Sequence, residues 1–189
     1  MNEQFNKNGY LVIRNFLPKD LCDFAKVYYK IQQDTLNYTI DVQCPGSKSF
    51  YGDPFCETIL LSACKKLSDE TGIKLLPTYS YTRIYGRGDE LKIHRDRPEC
   101  EISATISLGR PQMEEPSPIY FARDETGKDK VELILEEGDL CIYKGTEMYH
   151  WRKPFIQSWY LQTFIHYVNS EGPYKDNIFD GRRSLGIKK

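Results

Sequence analysis

The chain has 189 residues, with 26 basic and 27 acidic side chains and a formal net charge of -1. That length supports one hydrophobic core and does not require two. The balanced charge argues against a broad electrostatic footprint for nucleic acid or an anionic membrane, and 14 Tyr with 9 Phe argue against disorder.

The opening stretch, MNEQFNKNGY, has no apolar run and no cleavage pattern, so it is not read as a signal peptide, and no window approaches the length of a membrane span. Residues 10–17, YLVIRNFL, are apolar and β-branched and predict a strand. Pro18 opens PKDLCDFAKVYYKIQQ, a predicted helix with Leu21, Phe24, Ala25, Tyr28 and Ile31 on one face. Residues 34–52 are predicted irregular, with CPGSKSFYG full of turn formers. Asp53 then supplies an N-cap and Pro54 a first helical position for a second helix, which carries Ile59, Leu60, Ala63 and Leu67 and stops near Gly72.

The pattern then changes. KLLPTYSYTRIYG, LKIHRD, EISATISLG, SPIYFAR, KVELILEEG, DLCIYKG and SWYLQTFIHYV are short strand-like runs separated by turns, with RDETGKDK (123–130) as a hairpin tip. Many short strands at this spacing predict a sandwich or barrel. The tail from Ser170 is polar and reads as loop or edge cover. The expected organisation is a single domain over 1–189, with a helical flank (1–73), a β-rich core (74–168) and a tail (169–189). Cys22, Cys44, Cys56, Cys64, Cys100 and Cys141 form no Cys-x-x-Cys pair, so reduced thiols and a cytoplasmic location are expected.

Only three histidines occur: His94, His150 and His166. His94 and Asp96, at i and i+2 of an extended segment, point to one side. His150 lies 54 residues beyond Asp96, in another strand-like segment that a β-barrel can fold back beside the first. Two histidines and one carboxylate on one face of a metal form the facial triad of non-haem Fe(II) oxygenases and leave coordination sites open.

The runs YTRIYGRGDELKIHRDRPECEISATISLG (81–109), EEGDLCIYKGTEMYHW (136–151) and YLQTFIHYV (160–168) resemble a 2-oxoglutarate/Fe(II)-dependent oxygenase of the prolyl 4-hydroxylase-like group. NGYLVIRNFLPKDLC resembles that group's N-terminal elements. The resemblance implies a β-rich α+β fold, a double-stranded β-helix (jelly roll) with N-terminal flanking helices. It implies His94, Asp96 and His150 as the iron ligands. It also implies a dioxygenase that takes 2-oxoglutarate and O₂, hydroxylates an unactivated C–H bond and releases succinate and CO₂. Related halogenases lack the carboxylate ligand, so Asp96 favours hydroxylation. The expected substrate is a prolyl or other residue in a peptide or protein, or a free amino acid. No nucleic-acid or membrane partner is expected.

In most relatives an Arg or Lys nine to eleven residues after the distal histidine holds the far carboxylate of 2-oxoglutarate. Here those positions are Trp159, Tyr160 and Leu161. A buried carboxylate needs a partner. Three candidates follow: Arg83, on a strand face with Tyr81 and Tyr85; Arg152, two residues after His150; and Lys153, next to it but expected to point away. Arg83 and Arg152 are favoured, with an ion pair to Glu101 or Asp89 as their structural alternative. The resemblance assigns Tyr85 a hydrogen bond to the cosubstrate. Thr105 and Ser107 alternate on the following strand and are expected in the same pocket, while His166 is either a pocket donor or a core residue. The rival readings are a nucleic-acid dealkylase on the same fold, a metal enzyme without 2-oxoglutarate, and a non-enzymatic jelly-roll binding protein.

Overall fold

The computed structural model describes residues 3–187, so the outermost positions of the expected domain lie outside the described residues. Three α-helices and ten strands follow the order α1 (Glu3–Asn8), β1 (Tyr10–Ile13), α2 (Lys19–Asp34), β2 (Lys48–Tyr51), α3 (Pro54–Thr71), β3 (Leu75–Gly86), β4 (Leu91–His94), β5 (Ile102–Gly109), β6 (Ile119–Ala122), β7 (Val131–Leu133), β8 (Leu140–Lys144), β9 (Tyr149–Arg152) and β10 (Trp159–Asn169).

The second helix forms where its caps predict. Phe55 donates its backbone N–H to Asp53 Oδ1 at 3.0 Å, Pro54 opens the first turn, and Gly72 ends the helix at φ 71°. Ile59, Leu60, Ala63 and Leu67 are all buried. In α2 the buried stripe is instead Cys22, Ala25 and Tyr29, while Phe24 and Ile31 are 60% and 56% exposed. The expected face is therefore corrected. The helix is turned so that the Tyr29 hydroxyl reaches Thr82 Oγ1 of β3 at 3.0 Å and the Cys56 thiol of α3 at 2.9 Å, contacts that only the tertiary fold provides. Two further departures are structural. Residues 34–52 contain β2, and the strand predicted over 10–17 stops at Ile13. β2 carries turn formers before it but pairs with β3, and the partner strand supplies the order that its own composition does not.

The strands build two antiparallel sheets. One has the order β1-β8-β5-β10-β3-β2 and the other β4-β9-β6-β7. This is the double-stranded β-helix. The run ISATISLG shows how the fold uses a period of two. Ile102, Ala104, Ile106 and Leu108 join Leu161 and Ile165 in the core shared with α2 and α3. Ser103, Thr105 and Ser107 point the other way, between the sheets, and all three are fully buried. They hydrogen-bond across the sheet to side chains of β10: Ser103 with His166, Thr105 with Gln162 and Ser107 with Tyr160.

The hairpin tip at 123–130 joins β6 to β7 as expected. The tail does more than cover an edge. Its 3₁₀ segment, Lys175–Gly181, packs on β3 and β10, and beyond it Arg182 makes a buried ion pair with Glu57 at 2.5 Å. All six cysteines are free, and among the described residues no helix is long and apolar enough to cross a membrane.

Candidate metal centre

β4 and β9 pair antiparallel, and their register sets His94 directly opposite His150, with ring centroids 4.3 Å apart. Asp96 lies just past the end of β4. Its carboxylate Oδ1 sits 3.7 Å from His94 Nε2 and 3.5 Å from His150 Nε2. The three ligand atoms all lie within 4.8 Å of one another, a span that one ion can bridge.

Backbone carbonyls set both imidazole tautomers. His94 donates through Nδ1 to the Lys92 carbonyl at 2.8 Å, and His150 through Nδ1 to the Met148 carbonyl at 3.1 Å. Each Nε2 therefore presents its lone pair toward Asp96, which is the arrangement a metal ligand needs. Burial, with the neighbouring His150, lowers the His94 pKa. Burial alone would raise Asp96, but the His150 imidazole, His166 and the Ser103 hydroxyl outweigh it and hold the carboxyl at about 2. His94 and Asp96 are thus in their ligating forms at neutral pH.

Three neighbours aim the carboxylate. Ser103 donates to Asp96 Oδ2 at 2.7 Å and so leaves Oδ1 turned toward the two imidazoles, available to an ion. The Nδ1 of His166 meets the Ser103 hydroxyl at 2.9 Å, and burial pushes the His166 pKa down to about 4, so this ring is neutral and donates. The third is Gly145, whose carbonyl accepts the Asp96 N–H at 2.9 Å. A Cβ at Gly145 would stand 2.1 Å from the Cys100 carbonyl and 2.6 Å from Asp96 Oδ2, so the close approach excludes any side chain. His166 stood in the sequence reading only as a pocket or core candidate, Ser103 was not singled out there, and Gly145 and Asp96 come together only in the folded chain.

The triad opens onto a cavity of about 420 Å³ walled by Tyr79, Tyr81, Arg83, Tyr143, Phe164 and His166 among others. At its rim Arg97 is already neutralised, by Glu99 at 3.2 Å and by the buried Asp180 at 3.2 Å. Arg95 is exposed and lies over the Tyr149 ring.

The predicted cosubstrate residues separate into two groups. Arg83 lines the cavity, and its ion pair is with Asp41 at 2.6 Å rather than with Glu101 or Asp89. Its Nη2 also meets Gln43 Oε1 at 3.2 Å, and its Nη1 donates to the Tyr85 hydroxyl at 3.3 Å. Tyr85, Thr105 and Arg152 are fully buried and do not line the cavity. Tyr85 stacks on Phe155 at 4.3 Å, and burial raises its pKa. Thr105 accepts from Gln162 Nε2. The Arg152 guanidinium lies over the rings of Tyr160 and Phe155, at 5.5 and 5.8 Å, and gives one hydrogen bond, from Nη1 to the Ser117 carbonyl at 2.7 Å.

No family model matches the sequence, and no curated protein matches it. Solved structures do. A prolyl-4-hydroxylase from Pseudomonas putida superposes with a TM-score of 0.72 at 16% identity, covering 88% of this chain and 96% of that one. A prolyl hydroxylase from Trichoplax adhaerens, in complex with a hypoxia inducible factor oxygen degradation domain peptide, gives 0.72 at 16% identity over 89% and 87%. HygX from Streptomyces hygroscopicus, with nickel, 2-oxoglutarate and hygromycin B bound, gives 0.65 at 14% identity over 88% and 85%. At these identities the likeness shows that the chain has their fold.

Proposed function

We propose that the chain is an Fe(II)- and 2-oxoglutarate-dependent dioxygenase that hydroxylates an unactivated C–H bond. The observation that carries this reading is the triad itself. Two imidazoles with carbonyl-set tautomers and one carboxylate oxygen converge from one side, and the other side faces a cavity. The donor set fits a borderline metal such as Fe(II), with coordination sites left for a chelating cosubstrate and O₂. Bound there, iron would supply the oxidising chemistry that couples loss of CO₂ from 2-oxoglutarate to attack on the C–H bond.

The chain's own residues supply position and shielding. Ser103 and Gly145 hold Asp96 so that one oxygen ligates, and the presence of that carboxylate supports hydroxylation. Tyr79, Tyr81 and Phe164 give the cavity aromatic walls that keep water from the reacting atoms. Those walls and the exposed loop residues beside them suit a peptide segment or a small amino-acid-like molecule. One structural neighbour holds a peptide, and another holds hygromycin B, which supports a small molecule as the other kind of substrate. The balanced charge of the chain and the neutralised Arg97 favour such a substrate over nucleic acid.

The test is to add Fe(II) and 2-oxoglutarate without oxygen and record the visible spectrum. A metal-to-ligand charge-transfer band that disappears in His94→Ala, followed by succinate formation when air is admitted, is the expected result. A wild-type chain with neither band nor succinate overturns the reading.

A further inference from the structure

The interior of the roll holds two buried arginines, and their surroundings differ in one respect. Arg83 has a carboxylate, Asp41. Arg152 forms no ion pair among the described residues, although it is 0% exposed. A guanidinium keeps its charge in proteins. An unpaired buried charge costs several kcal/mol (order of magnitude). A sequence that places arginine at this position is therefore built for an anion that is not part of the chain.

We propose that Arg152 is the anchor for the far carboxylate of 2-oxoglutarate, and that Arg83 instead holds Asp41 and the loop that carries it. This rests on the functional reading above. Three observations lead to it. The unpartnered nitrogens of Arg152 are Nε and Nη2, which together form one edge of the guanidinium fork, while Nη1 on the other side is tied to the Ser117 carbonyl. A free Nε/Nη2 edge is the geometry that takes a carboxylate with two parallel hydrogen bonds. Position is the second. Arg152 is two residues from His150 on β9, so the metal ligand and the guanidinium share the inward face. A molecule held at the triad and running along that face would bring its other end to the guanidinium.

The third observation is a complementary substitution in space. The guanidinium lies over Tyr160, which stands on β10 opposite Tyr85. Position 160 is among those where the resemblance expects a cation and finds none. The arginine of β9 brings its charge to the ring that occupies this place. A contact path joins it to the cavity: Arg83 Nη1 to the Tyr85 hydroxyl, Tyr85 stacked on Phe155, and Phe155 beside the Arg152 guanidinium. Arg152 does not line the cavity in this form, so carboxylate binding is expected to move this layer.

The experiment is calorimetric titration of 2-oxoglutarate into the Mn(II)-loaded chain, a redox-silent stand-in, for wild type, Arg152→Met, Arg152→Lys and Arg83→Met. Each is also titrated with 2-oxopentanoate, which keeps the chelating end and lacks the far carboxylate. Arg152→Met is expected to weaken 2-oxoglutarate binding about 100-fold, as loss of one partner of a buried charged pair does. Its 2-oxopentanoate and Mn(II) affinities stay within about threefold of wild type, on the usual behaviour of contacts outside a changed pair. Arg152→Lys keeps the charge without the fork and is expected to lose about tenfold; it carries the test if the Met variant does not fold. Arg83→Met is expected to lose less than either. If Arg152→Lys and Arg152→Met bind 2-oxoglutarate as wild type does, or if Arg83→Met alone loses it, the assignment is overturned while the function stands. A wild-type chain that binds Mn(II) but no 2-oxoglutarate overturns both.

Discussion

The two faces of the six-stranded sheet are made by the same strands and serve opposite ends. On the outer face Ile106, Leu108, Leu161 and Ile165 close against α2 and α3, and the Tyr29, Thr82 and Thr163 hydroxyls among them bond to one another. On the inner face, one residue away along each strand, Ser103, Ser107, Gln162 and Arg83 are equally buried but hydrogen-bonded, and they lead to the triad and its cavity. Equal burial therefore says nothing about role. Apolar burial on one face supplies stability that is indifferent to direction. The inner face uses directional bonds, each of which is costly to leave unmade, and so it specifies where a metal and its cosubstrate can sit.

This separation can be broken by mutation, and the largest effect belongs to the outer face. Ile106→Ala is expected to lower the unfolding free energy by about 2–5 kcal/mol through lost burial and a residual cavity. Metal affinity of the folded protein is expected to hold. Urea melts with a parallel Mn(II) titration check this, and a metal affinity that falls with stability would show that the faces are coupled.

Next in size is a pH effect on the inner face of the metal-free protein. Burial lowers the folded pKa of His166 to about 4 from an ordinary 6.5. The unfolded chain thus binds the extra proton first as pH falls. Stability is full above about pH 6.5 and declines by about 3 kcal/mol on going down to pH 4, in proportion to that difference. His166→Asn keeps a donor toward Ser103 and cannot titrate, so its acid limb is expected to be flatter in that window. Equal slopes for the two proteins would mean that His166 is not the buried neutral group described.

The smallest expected effect sharpens the contrast most. Ser103→Ala removes the bond to Asp96 Oδ2 without touching a ligand. Loss of such an outer partner typically costs about 10–100-fold in metal affinity. The metal-free form is expected to lose about 1–3 kcal/mol, less than Ile106→Ala loses, because His166 Nδ1 and Asp96 Oδ2 stay buried without this partner. An unchanged Mn(II) affinity would remove Ser103 from the positioning role.

Much of this was legible along the chain because the signals are local. Asp53, Pro54 and Gly72 mark α3 through caps that need only their own neighbours. The alternation in ISATISLG marks a strand with two faces. His94, Asp96 and His150 stand out by scarcity and spacing, and the structure brings them together. The α2 face was misread because Phe24 and Ile31 are apolar yet solvent-facing, and only the hydroxyl partners of Tyr29 decide the helix rotation. β2 was missed because its order comes from pairing with β3.

The sequence by itself determined the helix bounds of α3, the strand-rich body and the three candidate metal ligands, since each depends on residue type and short spacing. The tertiary structure alone decided which arginine is free. Arg83 and Arg152 look alike in sequence, each two residues from a neighbour with a proposed role. Asp41, 42 residues from Arg83, reaches one and leaves the other without a carboxylate. Charge pairing acts through space, and only the fold settles which partners meet.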